Sequence, residues 1–154
     1  MPDKTFTSAT LSSADTNTYL SHTGDAWNTW TPTVTQSGSV TVTVNTATYY
    51  KSGRNITCRM QVTVTGSGTA SNAVVIGGLP ATVSTSVGAY GQGYLFDSSV
   101  PTTYPAIIVL ASSTSVNLAS TITNANDLRL GVTSFTAALA SGDIINCSFT
   151  YEST

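Results

Sequence analysis

Charge is what this sequence most lacks. It has 5 Lys+Arg and 7 Asp+Glu in 154 residues, or 8% charged, against roughly 25% in ordinary soluble domains. Five scattered cations are too few to neutralise a run of phosphates, so nucleic acid is not an expected partner. The same shortage excludes a basic membrane-facing patch. No apolar run approaches the ~18–20 residues of a membrane span, so no membrane insertion is expected. The opening Met1 to Thr10 carries no apolar h-region, which predicts no secretory signal and folding in a reducing cytosol. Cys58 and Cys147 are the two cysteines. They stand in no CxxC or Cys/His spacing and are expected as buried free thiols.

Catalytic groups are equally sparse. His22 is the single histidine, and its neighbours Ser21 and Asp25 crowd one polar segment, whereas the members of a triad converge from separate parts of a fold. Asp97, Asp127, Asp143 and Glu152 each sit beside a turn or at the terminus, which is ordinary turn chemistry and no sign of the paired carboxyls of a glycosidase cleft. Gly66-Ser67-Gly68 and Gly91-Gln92-Gly93 precede no helix, so neither reads as a phosphate loop. The acids are too scattered for a calcium loop. The sequence therefore predicts no enzyme, no metal and no cofactor.

Ser and Thr take the place of charge, at about one residue in three. From Trp27 onward the hydropathy has period two. Ser39 to Val44 alternates Val inward and Thr outward, and Asn45-Thr46 breaks the parity, which predicts a bulge or bend. Lys51 to Asn55 reads as a hairpin turn into Ile56–Thr65, where Ile56, Cys58, Met60, Val62 and Val64 share one face. Short strands follow at Ala73–Ile76, Ser86–Gly91, Gly93–Asp97, Ala106–Ala111, Ser115–Ala119, Asp127–Gly131 and Asp143–Tyr151. The last has Ile145, Cys147, Phe149 and Tyr151 on one side. Turns every 8–12 residues and no long helix predict an all-β fold, an antiparallel β-sandwich of jelly-roll-like type, with immunoglobulin-like topology not separable from it. Before it, residues 13–22 read as a short helix capped by Ser12 or Ser13 and stopped near Gly24. The expected domains are a 1–26 attachment arm and a 27–154 sandwich.

The arm's apolar residues are few, and Tyr19 and Leu20 must dock on a neighbour. Trp27 and Trp30 lie where arm meets sandwich and are expected to fix one to the other, sealing the bottom of the sandwich. Tyr90, Tyr94 and Tyr104 cluster around a Gly- and Pro-containing stretch, either as core or subunit interface or as a ligand surface of the kind that grips sugar rings and proteins. A surface with so little charge fits a chain that buries its sides against copies of itself, so a homo-oligomer is expected, a trimer.

The run Ala26-Trp27-Asn28-Thr29-Trp30-Thr31-Pro32-Thr33 resembles the W-x-x-W-T-P-T opening of small β-domains in virion proteins of tailed bacteriophages, common among phages of actinobacteria. Ser12 to Leu20 is similar to the T-A-A-D-x-N-x-Y-L segment that precedes it. Tyr49 to Thr57 resembles the family's Y-x-x-x-G-[KR]-x-V-x hairpin. Gly66 to Ala70, Gly78-Leu79-Pro80 and Leu139 to Ile144 follow in order. After Leu20, Ser21-His22-Thr23-Gly24 replaces the usual charged R-D-N continuation. The resemblance implies a structural virion protein, tail-associated as a minor tail or fibre component, exposed on the particle. Its arm would hold other virion proteins, and its sandwich would meet the host surface, with a surface glycan as the expected ligand. A capsid-bound head fibre or decoration protein, or a free carbohydrate-binding module, is the alternative.

Overall fold

A computed structural model of the chain describes residues 27–120, 134–135 and 137–154. The expected helix at 13–22, with Tyr19, Leu20 and His22, lies outside the described residues, as does the strand expected at 127–131. The described residues form eleven strands and no helix. They are β1 (Asn28–Thr29), β2 (Thr33–Gln36), β3 (Gly38–Val40), β4 (Val42–Ser52), β5 (Asn55–Val64), β6 (Asn72–Gly77), β7 (Ala89–Asp97), β8 (Thr102–Ser112), β9 (Ser115–Ser120), β10 (Ser134–Phe135) and β11 (Ile144–Glu152).

The strands are hydrogen-bonded in the order β1-β4-β5-β11-β7-β8-β9-β6-β2-β3, with β10 added to β6. Every pairing is antiparallel. β3 ends this order at one side and β4 is second from the other side, yet only Thr41 separates them in sequence. The sheet must therefore curl until its two ends meet at Thr41. The Thr41 carbonyl seals that corner by accepting the N–H groups of Thr65 (2.9 Å) and Gly66 (3.1 Å). The result is a curled, half-barrel sheet in one continuous ladder, where the sequence predicted two facing sheets.

Alternation decides what the curl encloses. Ile56, Cys58, Met60, Val62 and Val64 of β5 are all buried, as are Ile145, Cys147, Phe149 and Tyr151 of β11, as the period-two pattern predicts. Val34, Val74, Ile76, Ile108, Val116 and Leu118 complete the interior from the other half of the sheet. Each such side chain removed from water contributes about 1.5–3 kcal/mol. Trp30 meets Phe149 edge-on at 6.4 Å, and Phe149 stacks on Tyr151 at 6.3 Å. Cys58 stands opposite Phe149, and Cys147 opposite Met60. The two free thiols are thus diagonal neighbours on one face, an offset of about 7–8 Å between backbones that does not suit a disulfide.

Two expectations need correction. Val44 was expected inward and does stand opposite Val62, but it is 41% exposed. Its strand has no second neighbour there, because β1 pairs only with Thr48 and Tyr49. The ladder then shifts register between Val44 and Thr46, the bulge that the broken parity predicts. Ser86–Gly91 and Gly93–Asp97 were expected as separate strands, but one strand, β7, runs unbroken from Ala89 to Asp97, and Ser86–Gly88 lie outside it.

Gln36 is the polar centre of the interior. It is fully buried, accepting the Leu139 N–H at 2.8 Å and donating to the carbonyls of Ala137 (3.1 Å) and Asn72 (3.4 Å). One amide thereby ties β2 to β6 and to the segment ahead of β11. Gln36→Leu keeps the bulk but orphans these backbone groups, at about 1–3 kcal/mol for a buried one. The expected result is a urea midpoint lowered by about 2 kcal/mol of stability. An unchanged midpoint would show that the amide holds nothing.

Candidate functional site

The outer face of the curled sheet carries the chain's functional-looking chemistry. On β5 the outward residues are Thr57, Arg59, Gln61 and Thr63, because the intervening positions are buried. The register then sets their neighbours. Thr48, Arg59, Ser148 and Gln92 form one cross-strand row over β4, β5, β11 and β7. Thr46, Gln61, Asn146 and Tyr94 form the next, and Tyr50, Thr57, Thr150 and Tyr90 the one on the other side. The Thr57 and Thr150 hydroxyls are hydrogen-bonded at 3.0 Å.

Between the first two rows lies an open depression of about 270 Å³, lined by Thr46, Arg59, Met60, Gln61, Asn146, Cys147 and Ser148. Trp27 stands beside it, immediately before β1. The Arg59 guanidinium lies over the indole with Cζ 4.3 Å from the ring centroid, and Tyr50 meets the same indole at 6.2 Å and 48°. A cation over an aromatic face is attracted by the ring quadrupole, by about 0.5–1 kcal/mol at an exposed site. The arrangement is a polar depression of hydroxyls, carboxamides and one guanidinium, with the Trp27 and Tyr50 rings beside its Arg59 end. Such a surface offers both donors and acceptors to a polyol, and apolar faces to its ring carbons.

The two tryptophans part company here. Trp30 is 9% exposed inside the sheet and Trp27 is 40% exposed outside it. Both rings were expected to seal the bottom of a sandwich; Trp30 packs into the core of the curled sheet, and Trp27 does not. Three residues of extended chain put their side chains on opposite faces, so the W-x-x-W spacing places one ring in the core and one on the outer face. Tyr90 and Tyr94 share the outer face, with Tyr90 64% exposed. Tyr104 stands opposite Leu95, the register of the inner face, and does not join them.

The carboxylates have structural partners. Asp143 is buried and accepts the Ala140 N–H at 2.8 Å, with the Ser98 N–H and hydroxyl both at 3.0 Å. Asp97 accepts the Ser99 hydroxyl at 2.6 Å and the Ser99 N–H at 2.9 Å, bonds that hold its carboxyl below the ordinary carboxylate range. Glu152 pairs with Arg54 at 3.1 Å. Among the described residues, no three His, Cys, Asp or Glu side chains group closely enough to hold a metal. No described helix is long and apolar enough to cross a membrane.

The groove was invisible to sequence reading, although the alternation of β5 puts Arg59 and Gln61 on the face opposite its apolar residues. Its missing half is the β11 register, which brings Asn146 and Ser148 alongside. Compared with known protein families, curated proteins and solved structures, the chain matches none.

Proposed function

We propose that the chain is a structural attachment protein of a tailed bacteriophage virion, an oligomeric tail-associated domain that contacts a glycan on the host surface. The observation that carries the binding role is the polar groove with the Trp27 and Tyr50 rings beside Arg59 at one end. Tyr90 extends the exposed aromatic surface on the same face. The virion assignment rests on the resemblance of Ala26–Thr33, Tyr49–Thr57 and Leu139–Ile144 to phage β-domains. A sandwich-like reading of the curled sheet belongs to the same proposal, with Thr41 turning the corner between its halves. The arm 1–26 holds the particle, and several copies act together, so that weak contacts are raised by effective concentration.

The test is the native mass of the chain with and without residues 1–26, together with its co-sedimentation with actinobacterial cell envelopes. A trimer that survives loss of the arm and sediments with envelopes is expected. A monomer in both forms would overturn the oligomer and favour a capsid decoration protein. Failure of an intact trimer to sediment would overturn the attachment role.

A further inference from the structure

The groove has a narrower chemistry than its overall polarity indicates. Of its lining residues, Arg59 alone is charged, and the polar remainder is neutral. Two arginines close together in sequence are used differently. Arg54 spends its Nε on the Glu152 carboxylate and the Ser153 carbonyl. Arg59 meets no carboxylate among the described residues and instead lies over Trp27. Stacking occupies the face of a guanidinium and leaves the N–H donors at its edge unspent. It also fixes a long side chain in advance, which lowers the ordering cost of binding. A planar fork of donors, held in place and with no carboxylate on it among the described residues, matches a carboxylate or phosphate.

Size narrows the ligand further. At about 270 Å³, the depression falls just below the roughly 300–1,000 Å³ of ordinary small-molecule pockets, which suits one sugar unit seated in an open groove. We propose that this groove is a subsite for an acidic monosaccharide unit of a surface glycan, with the anionic group on Arg59 and the ring hydroxyls on Thr46, Gln61, Asn146 and Ser148. This rests on the attachment role and gives it a ligand class: a sugar bearing a carboxylate or a phosphate.

The test is calorimetric titration of the full chain with three probes: an oligogalacturonate, the same oligomer as its methyl ester, and a glycerol-phosphate polymer. At least one anionic probe is expected to bind about tenfold tighter than the ester, and which one does so identifies the anionic group. Arg59→Gln is expected to remove that excess, so that the anionic probe binds no tighter than the ester. Arg59→Lys restores only part of it, because an ammonium lacks the planar fork. Equal binding of anionic probes and ester would overturn the inference, as would an anion preference that survives Arg59→Gln. Binding of no probe by a chain that still sediments with envelopes overturns the acidic-sugar subsite and leaves the attachment role standing.

Discussion

Gly91→Ala is expected to destabilise the protein by about 3 kcal/mol or more, the upper range for a forced overpacking. In most strands the same change is favourable, since glycine inside a regular element costs about 0.5–1 kcal/mol relative to alanine. The sign reverses here because of what stands opposite. Gly91 pairs with Phe149 of β11, and a methyl group at position 91 would collide with the Ser148 carbonyl oxygen and lie 2.5 Å from Phe149 Cα. Those are backbone atoms of a central strand and cannot swing aside as a side-chain tip would. Gly93 repeats the arrangement two residues on, where a methyl would meet the Asn146 carbonyl and lie 2.9 Å from Cys147 Cα. β7 must then part from β11, with loss of ladder bonds and of cover for Phe149 and Cys147. Gly38→Ala is the internal control, since a methyl there meets nothing within 4 Å, and it should be neutral or mildly stabilising. Urea unfolding of Gly91→Ala, Gly93→Ala and Gly38→Ala decides the matter. A Gly91→Ala protein as stable as Gly38→Ala would remove the close approach of β7 and β11 from the account of this fold.

That pair of glycines also shows where sequence reading stopped. β5 and β11 were legible because each alternates without interruption between buried apolar and outward polar residues, and that signal is local. The bulge near Asn45 was legible for the same reason, as a break in local parity. Gly91-Gln92-Gly93 carries the usual mark of a turn, and nothing nearby in sequence announces that β11 will press against it. Gln36 is a polar residue in a short strand, which ordinarily faces water, and its partners Ala137 and Leu139 lie more than a hundred residues away. The inner and outer destinations of Trp27 and Trp30 were available from parity alone, since an odd spacing in an extended segment separates the two faces. The groove was not available, because Arg59 and Ser148 become neighbours only through the β5–β11 register. In a sheet with this order, local pattern gives the strands, while sites arise from non-local pairing.

The β5–β11 pairing also makes the fold sensitive to alkali, and the expected loss is several kcal/mol. Burial pushes both the Cys58 and Cys147 thiols up to about 12, with Cys147 adding to the effect at Cys58. Burial likewise pushes the Tyr151 phenol up to about 12, partly opposed by the hydrogen bond its oxygen accepts from the Ala81 N–H. In the unfolded chain the thiols titrate near 9.0 and the phenol near 10.0. Between these limits the native state binds more protons than the unfolded state, so stability must fall as pH rises. The contribution is fully present below pH 9 and is lost progressively toward pH 12. Each thiol costs about 1.4 kcal/mol per pH unit once the unfolded state ionises, so the two together remove about 4 kcal/mol between pH 7.5 and 10.5. Urea unfolding at those two pH values is the measurement, with Cys58→Ala/Cys147→Ala alongside the natural chain. The double variant loses some stability at pH 7.5 to the cavities it creates. Its fall between the two pH values should nevertheless be much shallower, leaving only the share of Tyr151. If the double variant fell as steeply as the natural chain, the alkaline loss would have to arise elsewhere, and the buried thiol pair would be ordinary filling for the core.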